Sequence, residues 1–129
     1  MALEIRTPIQ MRFEDFDSFG HVNNIAQQSY MDVGKSELFH ELWHRTGAIK
    51  RIPAIMVSVQ TDFLSQIRMD ERVEVVTYIE SIGEKSLTLS QSILCNQREC
   101  TRSRTVMVCF DIDTQSSIPV PASWREFVK

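Results

Sequence analysis

A chain of 129 residues with a formal net charge of −3 is long enough for one domain with a sizeable apolar core. Its composition is 43% hydrophobic and 24% charged, and no apolar run approaches the roughly 20 residues of a membrane span, so we expect a soluble globular domain. The slightly acidic balance gives no field that would attract a nucleic acid.

The N-terminus and the cysteines favour a cytoplasmic protein. The first residues include Glu4 and Pro8 where a signal peptide would have a basic segment and a long apolar stretch. The cysteines are odd in number and lack a Cys-x-x-Cys pair, which favours neither a disulfide framework nor a structural zinc site: Cys95, Cys100 and Cys109. We therefore expect reduced, packed thiols.

The predicted elements begin with a short alternating segment. Ile9, Met11 and Phe13 alternate with polar residues. A period of two is typical of a strand that buries one face, so we predict a first strand here. A polar loop from Asp15 to Asn24 follows it.

A long amphipathic helix is predicted next. From Tyr30 the apolar residues repeat every three or four positions, with Leu38 and Leu42 on one row. Gly47 suits the C-terminal cap of this helix. Gly34 lies on the apolar stripe, although glycine inside a helix costs about 1 kcal/mol relative to alanine. We therefore expect a packing reason for it, namely very close approach of the helix to another backbone, with the helix tight against a sheet.

Four further segments have the period of strands. Their apolar positions are Ile55, Val57, Val59 and Phe63; Val73, Val75 and Ile79; Leu87, Leu89 and Ile93; and Val106, Val108, Phe110 and Ile112. Gly83 and the polar residues 96–99 separate the later segments, which predicts antiparallel connections. One helix and five strands in this order indicate an α+β domain with the helix on one face of the sheet.

The densest polar cluster of the chain runs from Asp15 to Asn24, between the first strand and the helix. Asp, Ser, Gly and Asn are common in turns and helix caps, so the connection could use them without a catalytic role. A carboxylate just before a helix N-terminus, however, lies beside backbone N–H groups that stabilise developing negative charge. Such an arrangement is suited to hydrolysis of an activated acyl group.

The same cluster carries a resemblance to a known family. The signature of hotdog-fold acyl-CoA thioesterases of the 4-hydroxybenzoyl-CoA thioesterase type resembles one segment of this chain: Asp15-x-Asp17-x-x-Gly20-His21-Val22-Asn23-Asn24. Two further segments look like the family's helix pattern and strand-joining turn: Tyr30, Lys35 and Glu37, and Gly83-x-Lys85-Ser86. With the similar strand order, the resemblance covers essentially the whole chain.

The resemblance implies a fold, an activity and a catalytic group. The fold is a hotdog, in which a five-stranded antiparallel sheet wraps a long central helix in a single domain over residues 1–129. The activity is hydrolysis of an acyl thioester to a carboxylic acid and free CoA, with no metal and no other cofactor. Asp17 corresponds to the nucleophile or general base, and Asn24 to a residue that orients water or substrate. Gly20, His21 and Asn23 are implied to support the loop and its oxyanion region.

Two residues depart from the family's pattern. Gln27 stands where many relatives have an aromatic residue, which bears on the acyl pocket. Lys35 replaces a frequent arginine, which changes a planar fork into a point charge and bears on subunit contacts. Besides Gln27, the turn residues Lys85 and Ser86 are candidates for substrate binding.

Three arginines lie within seven residues of one another: Arg98, Arg102 and Arg104. Arginine geometry suits the phosphates of a nucleotide-bearing ligand such as CoA. Solvated charges around a hairpin are the alternative interpretation, and the sequence leaves both open.

A second pattern predicts a different chemistry. His40-Glu41-Leu42-Trp43-His44 has the His-Glu-x-x-His spacing of a zinc protease. The position of a third ligand is occupied by Lys50, whose ammonium group cannot bind zinc at neutral pH. Both histidines lie opposite the apolar row of the helix, so solvated surface residues are the simpler interpretation.

The resemblance also implies partners. The substrate would be acyl-CoA or a thioester of an acyl carrier protein, and two subunits would join into a homodimer or a homotetramer of two such dimers. An edge strand and an uncovered sheet face favour such pairing. The fold does not separate a hydrolase from a non-catalytic hotdog domain that binds acyl-CoA or an acyl carrier, or from a dehydratase acting on an acyl thioester.

Overall fold

The computed structural model describes residues 1–47 and 52–129. Over these residues the chain forms one long α-helix and six β-strands. Their bounds are β1 Glu4–Ile9, α1 Asn24–Thr46, β2 Ala54–Phe63, β3 Val73–Ile82, β4 Ser86–Cys95, β5 Arg98–Asp111 and β6 Ser116–Ser117. Short 3-10 turns cover Phe13–Asp15 and Ala122–Phe127. None of the helical segments in this part of the chain is both long and apolar enough to cross a membrane.

Five strands form an antiparallel sheet in the order β1-β3-β4-β5-β2, and the two-residue β6 pairs with β5. The helix backbone lies closest to β1 and β3, and its side chains also pack against β4 and β5. The structure therefore confirms the predicted α+β hotdog arrangement. Strands β1 and β2 are the two edges of the sheet, because neither has a second neighbour among the described residues.

Two apolar clusters join the helix to the sheet. Leu38 and Leu42 belong to one cluster together with Trp124 of the C-terminal turn. Tyr30 and Val22 belong to the other, so the loop before α1 is anchored in the core as well as the helix. Burying an apolar side chain of this size contributes about 1.5–3 kcal/mol to the free energy of folding. These contacts fix the start of α1 against the sheet.

The first strand lies earlier in the chain than the sequence predicts. Strand β1 pairs with β3 from Glu4 to Ile9, whereas Phe13 is 88% exposed and begins a 3-10 turn. The prediction of a strand over residues 9–13 was therefore wrong. Pairing with β3 ends at Ile9, and β1 includes Pro8, which lacks an N–H but is tolerated because β1 is an edge strand.

The apolar alternation that marks β5 in the sequence lies on the face away from the helix. Val106 and Val108 are partly exposed, while Thr105, Met107 and Cys109 are buried on the other face. Pairing with β4 fixes this register, with Thr105 opposite a buried leucine. The face of β5 that turns inwards is thus partly polar.

Both glycines of the helix have a structural cause. Gly47 ends α1 in the left-handed conformation with a φ of +61°, and its N–H donates to the carbonyl oxygen of His44, as predicted. A Cβ atom at Gly34 would lie 2.7 Å from Thr77 Oγ1 and 2.7 Å from Val75 Cγ1. The close approach is confirmed, but the nearest atoms belong to strand side chains rather than to a backbone.

The cysteines are buried free thiols. Burial raises the pKa of Cys109 to about 11. Burial and, next, the neighbouring Cys100 also raise the pKa of Cys95. These two thiols therefore stay protonated near neutral pH and are not nucleophiles.

Candidate active site

The loop before α1 is a narrow turn closed by main-chain hydrogen bonds. Phe16 and Val22 form an isolated β-bridge, and the N–H of Asp17 donates to the carbonyl oxygen of His21 at 2.8 Å. Gly20 closes the tip with a φ of +79°, and its N–H donates to the carbonyl oxygen of Asp17 at 3.1 Å. Glycine adopts this left-handed conformation without strain, so Gly20 supports the tip.

The Asp17 carboxylate is exposed, and the loop binds one of its two oxygen atoms. Its Oδ1 atom accepts hydrogen bonds from the main-chain N–H groups of Phe19 at 2.9 Å and His21 at 3.2 Å. No group in the ranges 1–47 and 52–129 donates a hydrogen bond to its Oδ2 atom. The carboxylate is thus oriented by the loop, and one oxygen is available to a ligand.

The start of α1 supplies hydrogen-bond donors beside this carboxylate. Asn23 is the N-cap residue, and its Oδ1 atom accepts from the N–H of Ala26 at 2.7 Å. The N–H groups of Asn24 and Ile25 donate to no acceptor within the described part of the chain. The first N–H groups of a helix carry partial positive charge, so these two can bind an oxygen that gains negative charge.

One cavity of about 820 Å³ is lined by both predicted catalytic residues, Asp17 and Asn24, and by two of the three predicted support residues. Its lining includes Asp17, His21, Asn23 and Asn24 from the predicted loop, and Ile25 from α1. Gly20 forms the turn beside it. A carboxylate and free N–H donors in one cavity can activate water, or attack a carbonyl carbon, and stabilise the oxyanion that forms.

The two carboxylates of Asp15-x-Asp17 have different environments. Both line the cavity, but Asp15 is 2% exposed and accepts hydrogen bonds from Tyr30 and Arg12, whereas Asp17 is exposed. Burial opposes ionisation of Asp15, but the bonds from Tyr30 and Arg12 outweigh it and hold the pKa of Asp15 below its ordinary value. Asp15 is therefore a structural anion.

A cavity residue that the sequence does not indicate is Gln66, which follows β2. Its segment packs against the loop: the N–H of Val22 donates to the carbonyl oxygen of Ile67 at 2.9 Å, and His21 forms a β-bridge with Arg68. Gln66 is exposed and lines the same cavity as Asp17. No local pattern could reveal it, because the contact joins segments far apart in the chain.

The predicted substrate residues outside the loop lie elsewhere. Gln27 is buried between helix and sheet, where it accepts a hydrogen bond from the Thr101 hydroxyl and donates to the carbonyl oxygen of Val22 at 3.4 Å. Lys85 and Ser86 lie at the turn between β3 and β4. Val73, at the start of β3, shares an apolar cluster with Val22 of the loop. The turn is at the opposite end of β3, roughly 30 Å away along a ten-residue strand.

Each of the three arginines forms an ion pair: Arg98 with Glu71, Arg102 with Glu99 and Arg104 with Glu80. Arg98 also lines a polar groove of about 440 Å³. Because Gln66 lines both this groove and the Asp17 cavity, Arg98 is next to the candidate site. Arg102 and Arg104 line neither of them.

The zinc-protease pattern lies on the surface of α1. His40 and His44 are exposed, and Glu41 accepts a hydrogen bond from Arg45 Nε at 2.7 Å, which lowers the pKa of Glu41. Lys50 lies outside the described residues. Over the described ranges, no three or more His, Cys, Asp or Glu side chains are grouped so as to hold a metal ion.

Comparisons with known proteins agree with this geometry. Residues 11–128 match the model of the Thioesterase-like superfamily. The chain is 28% identical to the uncharacterised protein YsmA of Bacillus subtilis, over 63% of this chain and 54% of YsmA, so that match spans only about half of the relative. It is 22% identical to the acyl-CoA thioester hydrolase YbgC of Escherichia coli, over 82% of this chain and 81% of YbgC.

Solved structures are similar over nearly the whole chain. A predicted thioesterase from Bacillus stearothermophilus has a TM-score of 0.86 and 30% identity, and the match covers 98% of both chains. A thioesterase from Thermus thermophilus, complexed with coenzyme A and Zn, has a TM-score of 0.80 and 25% identity, with 94% of both chains covered. The similarity includes the loop, the helix and the sheet that form the candidate site.

Proposed function

Because the chain belongs to the Thioesterase-like superfamily, we propose that it hydrolyses acyl-CoA thioesters to a carboxylic acid and free CoA, with Asp17 as nucleophile or general base. Its relative YbgC is an acyl-CoA thioester hydrolase, and the similar Thermus thermophilus thioesterase was solved with coenzyme A. These relatives support the substrate class, and the cavity supports the assignment of the carboxylate.

One observation carries the proposal. Asp17, Asn24 and Ile25 line one cavity, and within the described residues the Asp17 Oδ2 atom and the N–H groups of Asn24 and Ile25 have no hydrogen-bond partner. Hydrolysis of a thioester needs a base or nucleophile on one side of the carbonyl carbon and donors for its oxygen on the other. The start of α1 supplies these donors without reorganisation, since its position is fixed by the core.

The reaction has two possible first steps at Asp17. As a general base, the carboxylate removes a proton from a water molecule whose oxygen bonds to the thioester carbon. As a nucleophile, it bonds to that carbon itself and forms a mixed anhydride, which water then hydrolyses. In both cases the C–S bond breaks, the electron pair leaves with the CoA sulfur, and the thiolate is protonated.

The remaining loop residues support this chemistry. The main-chain N–H of His21 orients the Asp17 carboxylate, and Asn23 fixes the start of the helix. Asn24 is exposed on the cavity wall, where its side-chain amide orients the attacking water or the substrate. Gly20 permits the turn that brings the N–H donors to Asp17.

Recognition of CoA is assigned to the groove beside the cavity. Arg98 is the best placed of the three arginines for a CoA phosphate, because its groove shares Gln66 with the Asp17 cavity. Lys85 and Ser86 lie at the far end of the sheet, so they would reach this ligand only from a second subunit. A thioester of an acyl carrier protein is the second substrate class.

Assembly into a cytoplasmic homodimer, or a homotetramer of two such dimers, is part of the proposal. Edge strand β2 and the residue after it expose a row of large apolar side chains: Ile55, Met56, Val57, Val59, Phe63 and Leu64. An exposed apolar edge favours pairing with another chain.

Sedimentation should give a multiple of 14.9 kDa, and Val57→Lys should lower that mass. A wild-type mass of one chain would contradict the assembly.

The experiment that tests the function is a thiol-release assay on aromatic, short-chain and long-chain acyl-CoAs and on one acyl carrier thioester. We expect stoichiometric release of thiol and acid from at least one class. Binding of acyl-CoA without thiol release would instead favour a non-catalytic domain. Loss of water from a hydroxyacyl thioester, with the thioester intact, would favour a dehydratase.

A further inference from the structure

Asp15 is a buried carboxylate that the proposed hydrolysis does not use. Its Oδ2 atom accepts from the Tyr30 hydroxyl at 2.6 Å and from the main-chain N–H of Arg12 at 2.9 Å. Its Oδ1 atom accepts from the Arg12 guanidinium at 3.0 Å. A buried carboxylate is destabilising unless its oxygens are hydrogen-bonded, so these donors fix its position.

Tyr30 is the donor that comes from the helix. It is 4% exposed and belongs to the apolar cluster that contains Val22 and Ala26. Burial first, and then the hydrogen bond to Asp15, raise the pKa of Tyr30, so its proton stays on the phenol oxygen at neutral pH. The hydroxyl is therefore a permanent donor, and its bond to the carboxylate is charge-assisted.

Main-chain hydrogen bonds across the loop couple the position of Asp15 to that of Asp17. The carbonyl oxygen of Asp15 accepts from the main-chain N–H of Asn23 at 2.8 Å, which joins the two legs of the loop. Two residues later, the N–H of Asp17 donates to the carbonyl oxygen of His21 across the same two legs. A shift of Asp15 therefore displaces the segment that presents the Asp17 carboxylate.

We propose that Tyr30 is a positioning residue, which holds Asp15 and through it fixes the Asp17 carboxylate beside the start of α1. This inference rests on the proposed hydrolase function. Tyr30 is not among the residues that line the Asp17 cavity. A displacement of about 1 Å between reacting groups can lower turnover by about 10²-fold, so a residue away from the substrate can still control kcat.

The variant Tyr30→Phe keeps the buried ring and removes the hydroxyl. We expect kcat to fall by about 10-fold or more, while KM changes by less than about 2-fold because Tyr30 itself does not line the cavity that would bind the substrate. The matched control is Tyr78→Phe on β3, whose ring lies 4.7 Å from Lys129 Nζ and whose hydroxyl forms no hydrogen bond within the described residues. The control should retain wild-type kinetics.

Hydrogen exchange gives a readout that does not need turnover. The N–H groups of Phe19 and His21 bind Asp17 Oδ1, and we expect their exchange to become several-fold faster in Tyr30→Phe but not in Tyr78→Phe. If the wild type hydrolyses no thioester, the proposed function fails, while the exchange rates still decide whether Tyr30 holds the loop.

A double variant separates action through Asp15 from a general loss of stability. If Tyr30 acts through Asp15, adding Tyr30→Phe to Asp15→Asn should lower kcat little further. Full additivity of the two effects would overturn the proposal. Wild-type kcat and exchange rates in Tyr30→Phe would also overturn it, and so would a kcat loss that equals the unfolded fraction measured by thermal denaturation.

Discussion

Asn23 binds the carbonyl oxygen of Asp15 twice, through its main-chain N–H at 2.8 Å and through its side-chain amide at 3.0 Å. The other end of the same amide, Oδ1, accepts from the N–H of Ala26 in the first turn of α1. One side chain thus connects the loop that contains Asp17 to the start of the helix.

Asn23→Ala should lower the free energy of unfolding by about 1–2 kcal/mol. The substitution removes the helix cap, for which a loss of about 0.5–2 kcal/mol is usual, and the side-chain bond to Asp15. Urea denaturation measures the change. The neighbouring Asn24→Ala is the matched control, because Asn24 is exposed and caps nothing; equal losses in the two variants would contradict the assignment.

Asp17→Asn should lower kcat by about 10²-fold or more on whichever acyl-CoA the wild type hydrolyses best. Asparagine keeps an oxygen that can accept from the N–H groups of Phe19 and His21, so the loop should be retained while the negative charge is lost. The control is Asp113→Asn, an exposed residue beyond β5. Turnover near the wild-type value in Asp17→Asn would rule out the carboxylate.

Gly34→Ala should destabilise the fold although alanine is the better helix former. The new Cβ atom would lie 2.7 Å from atoms of Thr77 and Val75, and overpacking of this kind costs about 1–3 kcal/mol against a gain of about 1 kcal/mol in propensity. Thermal denaturation should show a lower Tm. Ser36→Ala, at an exposed position of α1, should leave the Tm nearly unchanged, and a Tm increase in Gly34→Ala would refute the steric argument.

The sequence predicted those features that depend on local pattern. The period of α1 and the cap at Gly47 are set by neighbouring residues, and both are confirmed. The start of the sheet was mispredicted because the apolar alternation of residues 9–13 continues beyond Ile9, where pairing of β1 with β3 ends, and strand pairing is a property of the whole chain. The position of Gln66 in the cavity likewise depends on packing between distant segments.

Residue type alone could not separate Asp15 from Asp17 either. Both are carboxylates that precede a helix, and only burial distinguishes them: one lies beneath Tyr30 and the other is exposed. The resemblance to a family pointed to Asp17, and its catalytic role stays a prediction. The structure adds a physical reason for the choice, since an anion held by three donors has little basicity left for catalysis.

Stability should depend on pH through Asp15. Its pKa is lower in the folded protein than the ordinary value near 4, so its contribution is complete above about pH 5 and is lost as the pH falls through 4 and below. Urea denaturation of the wild type should show this fall. Glu4, Glu41 and Glu99 also have lowered pKa values but lie in surface ion pairs.

Asp15→Asn separates the buried contribution from that of the surface carboxylates. The variant should be less stable than the wild type at pH 7, because the charge that binds Arg12 is gone, and its stability should fall less steeply below about pH 4. Glu41→Gln, which removes a surface pair with Arg45, should change the slope little, since solvent screens such pairs and they contribute little to stability. An acid slope in Asp15→Asn as steep as that of the wild type would show that other groups control acid unfolding.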